Sequence, residues 1–333
     1  MSKSFNYTKE EYDKLPILLG TIFVFSALFV VILMLFSFII GIYLIFFTRE
    51  GSISGRSLIN IFHIFIAGLP IPISIPIRVY MLFTLSWIIY LIFFIIALNN
   101  PINLIKVVKE VYREGPKRIL NNAILTITSI FTVLVVTTII LQYLQERSGI
   151  PTGTIPERDP IMMFVSISTA PLVEEIGFRL SFIGLIAAYL AFMADGRLRS
   201  ILYALWHPKG CLDKLIVKKN KTSKEVGILN VMVILSGIIF GLAHITYGAG
   251  WEVGKLSQAT LAGIALGWLY INYGFHAAVL LHWAFNYFTS AYYYLNKVLK
   301  ILYVTDLANI SVIITGFLGY LIIVFMIFKR LRR

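Results

Sequence analysis

Apolar residues dominate this chain in long runs, broken at a few points by short polar clusters. The runs fall at about 17–47, 79–98, 119–143, 161–194, 226–245, 257–272, 276–296 and 308–328. Each is of helix length and shows no strict alternation, so the pattern predicts eight helices. The first is long enough to tilt or bend. The sixth is short and carries Gly263 and Gly267 at a small-xxx-small spacing that permits close helix contact. Between the first two runs lies Leu69-Pro70-Ile71-Pro72-Ile73-Ser74-Ile75-Pro76, whose prolines exclude a regular helix and predict an extended apolar segment at the interface or packed on the bundle. Residues 101–115 place Leu104, Ile105, Val108, Val111 and Tyr112 opposite Lys106, Lys109, Glu110 and Arg113. With Asn100 as N-cap and Gly115-Pro116 as stop, they predict an amphipathic helix lying on the membrane. Residues 195–225 predict a polar, basic loop.

Composition turns these helices into membrane spans. Of 333 residues 59% are hydrophobic and 14% charged, and mean hydropathy is +0.86. Several separate apolar runs of about 20 residues are the mark of a polytopic helical membrane protein. A transmembrane barrel would show alternating ten-residue strands, and the sequence has none. The net charge of +13 gathers in loops and ends, where it reads as orientation and anionic-lipid contact, with no implication of nucleic acid. With the N-terminus inside, that side collects Lys3, Lys9, Lys14, the 106–118 segment, eight Lys/Arg from Arg197 to Lys224 and the tail from Lys329 to Arg333. The opposite side holds only scattered cations such as Arg49, Arg78, Arg147, Arg158 and Lys255, so both termini are expected in the cytoplasm. The lone Cys211 excludes an intramolecular disulfide, and its polar surroundings argue against a nucleophile. The polar start before residue 17 is expected to be retained, because the run behind it is too long for a signal-peptide core. One membrane domain, 1–333, is expected.

The chemistry lies in the polar interruptions. Glu174, Glu175 and Arg179 fall within six positions of an apolar run, where a charge costs roughly 2.5–3.5 kcal/mol on insertion scales. Glu175 and Arg179 stand at i, i+4 and can neutralise each other, while Glu174 points about 100° away and stays available. Three more polar sites sit in or beside spans: His244 at the end of the fifth, His276 at the start of the seventh, and His282 inside it, sharing a face with Asn286 at i, i+4. Buried polar groups on different helices need partners, and a shared polar cavity supplies them. His63 and His207 lie near polar connections and read as interfacial. The set suits hydrolysis. Glu174, helped by His244, would take a proton from water as it attacks a carbonyl, and His282 with Asn286 would donate to the oxyanion. A zinc ion on Glu174, His244 and His282 is a second solution, which spacing does not separate from the first. No GxSxG, HExxH or Ser/Lys dyad competes.

In order along the chain, EExxxR (Glu174, Glu175, Arg179), FxxxH (Phe240, His244) and HxxxN (His282, Asn286) resemble the motifs of the CAAX prenyl protease and bacteriocin-processing (CPBP, or ABI) family, in particular its Ras-converting CAAX endopeptidases. The resemblance covers about 160–290. It implies an all-α membrane bundle of eight helices around a polar catalytic cavity. It also implies cleavage near the C-terminus of a prenylated CAAX peptide by a glutamate-activated water, without cofactor. Carried over, Glu174 is the base, His244 its partner, His282 with Asn286 the oxyanion hole, and Glu175 with Arg179 supporting. The expected partners are the C-terminal peptide of a lipid-modified protein and membrane lipids, and the expected location is the plasma membrane of a prokaryote. A zinc-dependent protease, an idle scaffold or immunity-type protein and a proton-coupled transporter are the alternatives, although the inverted halves of a transporter are not visible.

Overall fold

The structure, a computed structural model, describes residues 9–156, 159–219, 224–248 and 250–331. Lys3, Arg158, Lys221, Arg332 and Arg333, which entered the charge count, lie outside the described residues. In chain order the elements are α1 (Lys9–Phe46), α2 (Arg49–Gly55), β1 (Leu58–Ile66), β2 (Leu69–Arg78), α3 (Val79–Leu98), α4 (Leu104–Glu114), α5 (Ala123–Arg147) and α6 (Pro160–Glu175). A π-helical stretch (Ile176–Gly184) continues α6 into α7 (Leu185–Asp195). Then come α8 (Leu198–Trp206), α9 (Pro208–Lys219), α10 (Lys224–Tyr247), α11 (Gly254–Tyr273), α12 (Phe275–Trp283), a π-helical turn (Ala284–Phe288), α13 (Thr289–Leu299) and α14 (Leu302–Leu331).

The chain is an all-α polytopic membrane bundle. Among the described residues six helices are long and apolar enough to cross a membrane, within 15–46, 79–98, 123–147, 160–195, 227–247 and 303–331. The two remaining expected spans are helices as well, α11 and the run α12–α13. α12 is an inner helix, with Ala277, Val279, Leu280, Leu281 and Trp283 buried, so His276 and His282 face protein instead of lipid. Trp283 stacks between Phe38 of α1 and Tyr287, at centroid distances of 4.9 and 5.3 Å, which fixes α12 against the first helix. Gly263 and Gly237 bring α11 and α10 into backbone contact: a Cβ on Gly263 would stand 2.8 Å from the Gly237 Cα.

Two local expectations are corrected by the fold and a third is borne out and extended. The extended segment 69–76 is part of β2, and it is not alone: it pairs antiparallel with β1, Phe65 facing Pro70 and His63 facing Pro72. The turn is Ala67-Gly68, with φ of 49° and 79°, the two positive values of a type I′ hairpin. The amphipathic helix starts at Leu104, not at 101. Its N-cap is Asn103, which accepts from the Ile105 N–H at 3.0 Å, whereas Asn100 donates to the Tyr273 carbonyl at 3.0 Å. Val107 and Val111 bury against Phe23, Val24 and Ala27 of α1, so its apolar side docks on the bundle. The polar segment 195–225 contains two helices, α8 and α9, instead of a loop. They pack because Ala204, Cys211 and Leu212 form a small apolar seam against Ala187, Tyr270 and Ile271. Cys211 is therefore buried, its thiol directed at the Ser200 carbonyl at 3.3 Å. Burial also pushes the His207 imidazole below its ordinary value. The neutral ring donates from Nε2 to the Asn272 carbonyl and accepts from the Gly210 N–H, both at 2.9 Å.

Candidate active site

Asp159 starts α6 by accepting from the N–H groups of Ile161 and Met162, each at 2.9 Å, with Pro160 at the first helical position where its missing N–H is harmless. Pro171 interrupts the ladder further on. It has no N–H to give the Ile167 carbonyl, and that carbonyl accepts from Asn286 Nδ2 at 3.3 Å. Four residues later the helix widens into the π stretch, which begins directly after Glu175. Such widened turns leave carbonyls out of register and recur at functional sites. Here neighbouring elements take them up: Gly177 O accepts from the Gly68 N–H at 3.2 Å, and Phe178 O from the Ser236 hydroxyl at 2.9 Å. Gly177 has no alternative, since any Cβ there would collide with Phe65 of β1.

The two glutamates stand in different surroundings. Glu175 and Arg179 are both fully buried, with Oε2 and Nε 3.1 Å apart, an ion pair that lacks hydrogen-bond alignment. Arg179 also donates from Nη2 to the Gly263 carbonyl at 3.2 Å and lies 4.4 Å from the centre of the Phe240 ring, a cation–π contact in a dry site. Glu175 Oε1 accepts from His282 Nδ1 at 2.8 Å. The other ring nitrogen, His282 Nε2, lies 3.7 Å from Glu174 Oε2. Glu174, with 20% of its side chain exposed, opens into a cavity of about 340 Å³ between α6 and β1.

The fold thus joins Glu174, Glu175, Arg179 and His282 directly. Phe240 sits among them, its ring 5.6 Å from that of His282 and 4.5 Å from that of His244. His244 turns Nδ1 to the Phe240 carbonyl at 2.9 Å, leaving Nε2 outside that bond. The imidazole beside Glu174 is that of His282. Asn286 is tied to the proline gap in α6, and the π turn that contains it skews the i, i+4 relation to His282. His276 is elsewhere, near Asn100 Nδ2 at 3.1 Å and stacked on Trp206. Among the described residues no group of three His, Cys, Asp or Glu is placed to hold a metal ion.

Two contributors escaped the sequence pattern. Tyr90 of α3 donates to the Ser168 carbonyl at 2.6 Å, bracing α6 one helix away. The wall opposite Glu174 is β1, including His63, which lies in this cavity. The proline alternation before Arg78 and the Ala-Gly turn were the available signals for that hairpin.

No curated protein and no solved structure matches the chain. Residues 156–288 match the profile of a family described as Rce1-like, type II CAAX prenyl endopeptidase Rce1-like. That interval contains Glu174, Glu175, Arg179, Phe240, His244, His282 and Asn286, and over it the chain is similar to the Rce1-like type II CAAX prenyl endopeptidases.

Proposed function

We propose that this protein is an intramembrane endopeptidase that hydrolyses a peptide bond near the C-terminus of a prenylated CAAX-type substrate, using a water activated by Glu174 and no metal. The observation that carries the reading is the position of Glu174. It is the member of the charged cluster that faces the cavity, while its neighbour Glu175 is sealed off.

In this scheme the Glu174 carboxylate takes a proton from water as the water oxygen bonds to the scissile carbonyl carbon. Electrons move to the carbonyl oxygen, and Glu174 later returns the proton to the departing amine as the C–N bond breaks. His282, oriented by Glu175 through Nδ1, stabilises the oxyanion from Nε2. With His282 protonated, Glu174 and Glu175 face His282 and Arg179 as two anions and two cations. A neutral total is what lets four such groups share a low-dielectric site. Asn286 contributes through the amide hydrogen that Ile167 does not use, and His244 completes the wall near Phe240. The same reading sets both termini on the cytoplasmic side of a prokaryotic plasma membrane, supported by the basic connections.

The test incubates purified protein in detergent with a farnesylated CAAX peptide and follows the released C-terminal tripeptide by mass spectrometry. Release that disappears in Glu174→Gln supports the reading. A wild-type protein that releases nothing from prenylated or unprenylated peptides overturns it.

A further inference from the structure

The hairpin β1–β2 lies in the first third of the chain, outside the matched interval, and its two edges differ chemically. In an antiparallel ladder, opposed pairs alternate between exchanging two N–H···O bonds and exchanging none. Pro70 faces Phe65 and Pro72 faces His63. Proline has no N–H, so these pairs are of the non-bonded kind. The ladder therefore runs through Phe62, Ile64 and Ile66, and the backbone groups of Ile61, His63 and Phe65 point away from β2. The outer edge of β2 lacks donors where Pro70 and Pro72 stand, which blunts it against pairing. The outer edge of β1 keeps its donors and acceptors open at Ile61 and His63, while the Phe65 backbone packs against Gly177, whose added Cβ would stand 2.9 Å from the Phe65 carbonyl oxygen.

That intact edge lies at the catalytic cavity. Ile61, His63 and Phe65 line one wall, and Thr169, Val173 and Glu174 of α6 line the other. Among the described residues no backbone hydrogen bond from another element reaches these three β1 residues. The hairpin is largely apolar, with Asn60, His63, Ser74 and Arg78 as its polar members, and is built into a membrane bundle, where unpaired backbone groups are tolerated only beside a cavity that supplies partners. The tip is pinned to the bundle by the Gly68–Gly177 hydrogen bond, so the edge holds its position relative to Glu174.

We infer that the free edge of β1 binds the substrate peptide as an added antiparallel or parallel strand, and so presents an extended scissile bond to Glu174. Main-chain pairing of this kind gives affinity to any extended peptide. From Ile61 to His63 the open edge is about 7 Å long, which suits a short C-terminal segment. The apolar walls favour aliphatic side chains at the alternate positions that turn towards them. His63 and its neighbours act here as positioning residues. The inference rests on the proteolytic reading above.

The decisive experiment is an N-methyl scan of a cleaved farnesylated peptide with the wild-type protein, leaving the scissile amide untouched. Methylation removes one donor at a time. Strand pairing predicts loss with a period of two: about tenfold or more in kcat/KM where the amide faces β1, because a donor is lost and a buried acceptor is left unpaired, and little change between. A second arm compares His63→Pro with His63→Ala. The proline removes an outward N–H without touching the β1–β2 ladder, so kcat/KM should fall mainly through KM, and several-fold further than in His63→Ala, which loses the side chain but keeps that N–H, while thermal stability holds. A flat scan, or His63→Ala as damaging as His63→Pro, overturns strand pairing while leaving the protease reading intact. If His63→Pro does not fold, the scan alone decides. A wild-type protein that cleaves no peptide overturns the proteolytic reading, and this inference with it.

Discussion

His282 Nδ1 lies 2.8 Å from Glu175 Oε1, so the carboxylate that neutralises Arg179 also orients the imidazole next to Glu174. One buried acid therefore links the charge balance of the site to its geometry. Neutralising Glu174 and neutralising Glu175 should consequently give different defects.

Glu174→Gln keeps the side-chain shape and removes the proton acceptor. Turnover of a prenylated peptide should fall by about 10²- to 10⁴-fold, the usual cost of losing a general base, while the thermal unfolding profile in detergent stays near that of the wild type. Near-normal turnover in this variant would assign the base to another residue.

Glu175→Gln leaves Arg179 buried without its counter-charge and weakens the hold on His282. Breaking a buried pair costs about 3–5 kcal/mol, so reduced thermal stability should accompany lost activity. Replacing Arg179 with Met in the same chain should recover part of the stability. Activity should not return, because His282 is still without its anionic partner. Recovery of both would mean that Glu175 serves only Arg179.

Asn286 closes the gap that Pro171 makes in α6. Asn286→Ala should leave the Ile167 carbonyl unpaired at about 1–3 kcal/mol. Adding Pro171→Ala returns an N–H to the helix and should restore stability. Peptidase activity should remain low in the double variant if the second amide hydrogen of Asn286 works on the oxyanion. Full recovery of turnover would confine Asn286 to the helix repair.

Gly177→Ala puts a methyl group into Phe65 and must move either the hairpin or the π stretch that carries Arg179. Overpacking of this kind costs about 1–3 kcal/mol. We expect lower thermal stability and a raised KM, because both walls of the cavity are disturbed. An unchanged KM would show that the hairpin position does not matter to substrate binding.

Metal content can be read directly. Elemental analysis of active protein should give zinc well below one ion per chain, with turnover unaffected by a strong chelator. Stoichiometric zinc lost together with activity, and activity restored by adding the metal, would replace the metal-free mechanism. Histidine-to-alanine variants cannot decide this, since both mechanisms use His282.

Membrane class, six of the spans and the pairing of Glu175 with Arg179 were legible in the sequence because each depends on residues adjacent along one helix. Hydropathy sums over a local window, and an i, i+4 ion pair is set by helix geometry alone. The close contact at Gly263 and the extended character of 69–76 were legible for the same reason: missing side chains and missing N–H groups act where they stand. Tertiary structure alone decided that Glu175 holds His282, that Asn286 answers Pro171, that 58–66 pairs with 69–78, and that 195–225 contains two packed helices. The partners in the first two cases are 107 and 119 residues apart, and no local periodicity records them, whereas the hairpin partners lie only 3–20 residues apart and left a signal in the Ala-Gly turn and the proline alternation. The π stretch after Glu175 belongs to this second group, because its freed carbonyls are satisfied by Gly68 and Ser236 from elsewhere in the chain. A widened helix turn is stable only where packing brings such partners to it.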